Sequence, residues 1–155
     1  MSSWGTSDRR TFVTISDQVQ EVLQKHVQRR DSDPESGGIL LGHVRGESLE
    51  ILEATVPTIW DKRMRYFFER MPFGHQLLAN ERWTASNGTV RYLGEWHSHP
   101  EDFPIPSQLD LTEWAALAKK RKDKRPMLAL IVGRCGLHLA LAFGSGVNVV
   151  LEHIE

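Results

Sequence analysis

His97 and His99 stand one residue apart in the run GEWHSHP, and a loop carrying Pro100, Pro104 and Pro106 separates them from Ser107 and Asp110. In an extended strand alternate side chains share a face, so the two imidazoles point one way while Trp96 and Ser98 point the other. Pro100 ends such a strand. Ser107 is suited to begin a helix with Asp110 in its first turn, which brings a carboxylate back beside the imidazoles. Two neutral ring nitrogens and one carboxylate form a three-ligand zinc set that leaves the fourth tetrahedral position for water, the arrangement of a catalytic site. Zinc lowers the pKa of such a water to about 7, and hydrolysis then needs a proton carrier, for which a glutamate outside the coordination shell is suited. Each part has a plainer explanation. A His-x-His pair on a strand can be surface chemistry, and Ser107-x-x-Asp110 is an acceptable capping-box variant that requires no metal. Capping explains neither the histidines nor the proline loop, so the combination is more specific than its parts.

The elements that must position these residues follow from periodicity. After Ser16, a candidate N-cap, the segment DQVQEVLQKHVQRR places Val19, Val22, Leu23 and Val27 at helical spacing. GGILLGHV and LEILEATV, separated by RGES, read as the two strands of a hairpin. A short strand near Phe67 and a helix from Gly74 to Trp83 are predicted next, and Asn87-Gly88 marks a turn before a strand that ends at His99. Leu111, Trp114, Ala115 and Ala118 mark the buried stripe of the helix after Ser107. PMLALIVG, LHLALAFG and VNVVLEHIE read as three further strands. This order predicts an α/β sandwich with a mixed, mostly antiparallel sheet covered by helices.

The chain has 155 residues and is 40% hydrophobic, which suits one domain over residues 1–155. A (β/α)8 barrel needs roughly 250 residues and is excluded. A net charge of −1 with 25% charged residues gives no indication of nucleic acid or an anionic membrane as partner. MSSWGTSDRR has no apolar leader core and no run approaches the roughly 20 apolar residues of a membrane span, so the expected location is the cytoplasm. The single cysteine, Cys135, leaves no internal disulfide or cysteine-rich zinc site and fits a reducing compartment. Lying between LIVGR and GLHLAL, it is expected to be a small buried residue. KKRKDKRP closes the helix after Ser107, where cations suit the dipole, and reads as a solvated face. His43, His75, His138 and His153 are scattered and are expected in packing or surface roles.

Glu35 followed by SGGILLG, and later HSHP with seven residues from His99 to Ser107 and then Asp110, resembles the JAMM motif of the JAB/MPN metalloproteases. The resemblance spans the first helix to at least Ile131. It implies the MPN fold and a zinc isopeptidase or peptidase, with His97, His99 and Asp110 as ligands. Glu35 matches the family's general acid/base and Ser107 its polar group that stabilises the tetrahedral oxyanion. Gly37 and Gly38 would allow close backbone approach beside the site. Other His-x-His hydrolases fit worse. Metallo-β-lactamases require an Asp-His pair after the second histidine, where this chain has Pro100 and Glu101. Zinc deaminases require a Pro-Cys-x-x-Cys, and only one cysteine is present.

Within the family, the compact length and the GEWHSHP wording resemble the bacterial JAB proteins of CBASS antiphage operons, which have ubiquitin-activating-like and conjugating-like partners. That resemblance implies deconjugation of a target from the C-terminal tail of a ubiquitin-like or CD-NTase-type protein. The alternatives are a stand-alone JAMM peptidase that processes a sulfur-carrier or ubiquitin-like protein, and a metal-free MPN binding module. An extended tail could lie against a strand edge, with TIWDKRMRYFFERM as one wall of the groove or, equally, as core aromatics and solvated charges.

Overall fold

A computed structural model describes residues 1–58, 61–64, 67–70 and 72–155, with the backbone alone for residues 63, 64, 67, 72 and 73. The elements in chain order are β1 (Ser2–Gly5), β2 (Phe12–Ile15), α1 (Asp17–Lys25), β3 (Gly37–Arg45), β4 (Ser48–Ala54), β5 (Lys62–Met64), β6 (Phe67–Glu69), α2 (Pro72–Ala85), β7 (Arg91–Ser98), α3 (Gln108–Lys120), β8 (Met127–Val132), β9 (Leu137–Ala142) and β10 (Asn148–His153). The helix predicted after Ser16 forms with that residue as N-cap, its side chain accepting the Val19 N–H at 3.2 Å. It ends at His26, so Val27 is buried beyond the helix and not within it.

Eight strands form one sheet in the order β1-β10-β9-β8-β7-β3-β4-β2, and because β1 also pairs with β2 the sheet closes into a barrel. The pairs β2–β4 and β7–β8 are parallel and the rest antiparallel, which matches the expected mixed, mostly antiparallel sheet. Closure departs from the layered sandwich expected from the sequence. Its cause is the pair of four-residue strands β1 and β2, which sequence periodicity missed and which bridge the edges offered by β4 and β10. β5 and β6 form a separate antiparallel pair, placing a strand at Phe67 as expected.

β8 is buried along its whole length and divides the core. Leu128, Leu130 and Val132 join Val13, Ile15, Leu40, Ile51 and Trp96 with Val19 and Leu23 of α1, while Met127, Ala129 and Ile131 pack against Trp114 and Ala118 of α3. The predicted apolar stripe of α3 therefore seats that helix on one strand, and its first turn reaches the site. Lys119 and Lys120 close α3 as expected, but Arg121 turns inward. Its guanidinium bonds the Leu93 carbonyl at 3.0 Å and Asp123 at 2.9 Å and lies over the Tyr92 ring. Cys135 is exposed, contrary to expectation, because it falls in the turn between β8 and β9 and not in either strand. Among the described residues no helix is long and apolar enough to cross a membrane.

Candidate active site

β7 carries His97 at its C-terminal end, paired across to Gly37 of β3, and His99 follows with its N–H donated to the Val132 carbonyl at 3.1 Å. Strand alternation puts both imidazoles on one face, as the spacing requires. Trp96 and Ser98, on the other face, fasten the site from behind. The Trp96 indole donates to the Thr55 carbonyl at 2.8 Å. Ser98 Oγ accepts the Ser36 N–H at 2.8 Å and donates to Gln28 Oε1 at 2.8 Å, which fixes the backbone next to Glu35. Gly38 is required here because a Cβ would collide with the Thr55 carbonyl, and one at Gly37 would come within 2.8 Å of the Trp96 carbonyl. Close backbone approach beside Glu35 is thus a property of this corner.

The loop after Pro100 is clamped by Arg134, whose guanidinium donates to Asp102 at 2.9 Å and to the Pro100 carbonyl at 3.1 Å. It delivers Ser107 as the N-cap of α3. Ser107 Oγ accepts the Asp110 N–H at 3.1 Å and Asp110 Oδ2 accepts the Ser107 N–H at 2.8 Å, a complete capping box. The box does not compete with a role for Asp110 at the histidines. The same carboxylate stands 3.3 Å from His97 Nε2 and 3.1 Å from His99 Nε2, and the two Nε2 atoms are 3.0 Å apart. Capping orients the group that faces them.

His99 Nδ1 lies 2.7 Å from Glu101 Oε1, which in the neutral ring favours the tautomer with its proton on Nδ1, so that Nε2 would have a lone pair for a metal. Glu101 was no more than a nearby carboxylate in the sequence; its place behind His99 depends on how the loop turns. Glu35, 4% exposed, brings a carboxylate oxygen within 4.8 Å of both histidines. All five residues singled out from the sequence therefore border one cleft of about 870 Å³. Phe68, Glu69 and Arg70 line it too, so part of the expected groove wall is there, while residues 59, 60, 65, 66 and 71 of that segment lie outside the described residues.

The two carboxylates are driven apart electrostatically. Burial pushes the Glu35 carboxyl up to about 8, with the charge of His99 opposing and that of Asp110 adding to the rise. Burial acts on Asp110 in the same sense, but hydrogen bonds from His97 and His99 overcome it and hold its carboxyl well below the usual carboxylate range. Burial disfavours charge on His99, yet Asp110 and Glu101 outweigh it and raise its pKa. Three donors that converge within 3.0–3.3 Å, beside a carboxyl that keeps its proton, are compatible with one small metal ion. Of the other histidines, His75 is buried against Thr55 and Asp61, His43 pairs with Glu50, and His153 contacts Trp4. His138 stacks on Trp114 behind the cluster, where burial and the charges of His99 and His97 lower its pKa.

Residues 16–142 match the family model of prokaryotic homologs of the JAB domain. The chain belongs to that family. It is similar over its full length, at 57% identity and covering 98% of the relative, to a protein from Pseudomonas aeruginosa named CD-NTase/cGAS isopeptidase. Proteins of the same name from Escherichia coli and Vibrio cholerae are 41% and 39% identical over 79% of this chain, covering 76% and 77% of their own lengths. The solution structure of protein DSY2949 from Desulfitobacterium hafniense shares the fold with a TM-score of 0.62 at 20% identity, covering 92% of this chain and 90% of that one.

Proposed function

We propose that this protein is a zinc-dependent isopeptidase of the JAMM type that cuts the amide joining a target to the C-terminal tail of a CD-NTase-type or ubiquitin-like protein, in CBASS antiphage defence in the bacterial cytoplasm. The observation that carries the reading is the pair of carboxyls with opposed proton affinities on one cleft: Asp110, ionised and touching both imidazoles, and Glu35, buried and retaining its proton up to about 8. Environments that separate two carboxyls in this way support a reading of one as ligand and the other as acid/base. The fit to zinc rests on distance. Ligands at roughly 2.0–2.1 Å in a tetrahedron stand roughly 3.3–3.4 Å apart, close to the separations in the His97–His99–Asp110 cluster. When bound, zinc would lower the pKa of a water and polarise the scissile carbonyl. The residues do the rest. A cation bound beside it would favour the ionised form of Glu35, which as a carboxylate would take a proton from the attacking water and pass it to the leaving amine. The Ser107 hydroxyl, whose oxygen already accepts from Asp110 N–H, is left to donate toward the carbonyl oxygen as it gains charge. The C–N bond breaks, the tail keeps a carboxylate, and the target leaves with its amine.

The name of the full-length relative supports a CD-NTase-type tail over a sulfur-carrier substrate, and the converged donors support catalysis over a metal-free binding module. Partners of the ubiquitin-activating and conjugating kinds would form the bond that this enzyme removes. Metal analysis tests the site: purified protein should carry about one zinc per chain, and His97→Ala or His99→Ala should remove most of it. Well-folded wild-type protein that neither holds nor takes up zinc would favour the binding module.

A further inference from the structure

Two polar connections beside the cleft, one buried and one half-buried, take no part in the chemistry just described. The first runs through His75 of α2. Its Nδ1 lies 2.6 Å from Thr55 Oγ1 and its Nε2 2.8 Å from Asp61 Oδ2, and both partners of the His75–Asp61 pair have fully buried side chains. Thr55 is in turn tied to both strands that frame the site. Its Oγ1 accepts the Ile39 N–H at 2.8 Å, its own N–H donates to the Ile39 carbonyl at 2.9 Å, and its carbonyl accepts the Trp96 indole. The second connection is Arg70, whose guanidinium donates twice to Glu95, at 2.7 and 3.3 Å, while the Tyr92 hydroxyl donates to the same carboxylate at 2.5 Å. Ile39 and Glu95 are opposite each other in the β3–β7 register, two residues from the Gly37–His97 pair. Both ends of the segment that carries β5 and β6, at Asp61 and Arg70, are therefore fastened to one rung of the barrel next to the histidines.

We infer that His75 and Arg70 are positioning residues that hold the β5–β6 pair as a standing wall of the cleft before any substrate arrives. The bidentate Arg70–Glu95 pair fixes orientation as well as distance, and the buried His75–Asp61 network resists opening because each member left without its partner is costly. A wall already ordered adds no ordering cost when an extended tail is laid along it, so the two clasps should act on binding more than on the chemical step. The identity of the tail rests on the proposed function; the standing wall does not.

The experiment is hydrogen exchange of the amides at residues 62–64 and 67–69 in free protein, for wild type, Arg70→Ala and Arg70→Lys, alongside kinetics on a tail fusion. Wild type should protect these amides in the absence of substrate, and Arg70→Ala should accelerate their exchange about tenfold or more. Arg70→Lys, which keeps the charge but not the fork, should recover part of that protection. On the fusion, Arg70→Ala should raise KM several-fold with kcat within about twofold and zinc content unchanged. His75→Gln reads the other clasp, the one through Thr55 and Asp61, in the same way. Exchange at the rate of an open chain in free wild type, or exchange unaffected by Arg70→Ala, would overturn the inference. If wild type cleaves no fusion while the exchange results hold, the isopeptidase reading fails and the wall stands.

Discussion

Glu35 and Asp110 face the same two imidazoles from different surroundings. Glu35 titrates near 8 in the folded, metal-free chain against an ordinary 4.5. Below about 4.5 the carboxyl is protonated whether the chain is folded or not, so its burial costs little. As pH rises toward 8 the unfolded chain ionises while the folded chain keeps its proton, and stability falls. Glu35→Gln, neutral throughout, should therefore stabilise zinc-free protein by an amount that grows between about pH 4.5 and 8, reaching a few kcal/mol. Urea unfolding in chelator checks this, and parallel pH curves for the two proteins would refute it. Ser107 separates cap from donor. Ser107→Ala should lose roughly 0.5–2 kcal/mol of stability and about 10²–10³ in kcat, while Ser107→Asp restores the cap but cannot donate. Recovery of turnover in Ser107→Asp would show that the hydroxyl serves only the helix. These residues were legible in the sequence because strand alternation and helix capping are local rules. The partnership of Gln28, Ser36 and Ser98 was not, because a hydrogen bond across 70 positions, as between Ser98 and Gln28, follows only from how the connection between α1 and β3 folds against the end of β7.

At the scale of elements, α3 depends on its seat against β8. Trp114 is 3% exposed and packs on the face made by Met127, Ala129 and Ile131. Trp114→Ala should cost about 3–5 kcal/mol and also weaken zinc binding, because the first turn of the same helix carries Asp110. Denaturant midpoints and a zinc competition titration read the two effects; loss of stability with unchanged zinc affinity would separate the seat from the site. The long apolar patterns of α1, α3, β3, β4 and β8 announced themselves because their periods were sustained. β1 and β2 are four residues each and read SSWG and FVTI, too short for a period to emerge, and they were missed. Cys135 misled for a related reason: apolar strands on both sides suggested continuity, whereas the chain turns there.

The whole molecule joins these scales through closure. β1 and β2 shut the barrel, the barrel fixes β3 against β7, and that pairing sets Glu35 opposite the histidines while α3 brings Asp110 from outside. Composition alone could not reveal such an arrangement. Recognition of a protein tail should then come from the owner's folded body as well as from the few residues that enter the cleft, so short generic peptides should be poor substrates. The direct measurement is a fusion of the candidate CD-NTase-type partner to a reporter at its C-terminus, incubated with zinc-loaded wild type and zinc-loaded Glu35→Ala and read by mass. The account predicts cleavage just after the last residue of the tail by wild type alone, with Glu35→Ala retaining its zinc. Equal cleavage by Glu35→Ala, or equally fast cleavage of unrelated peptides by wild type, would contradict it.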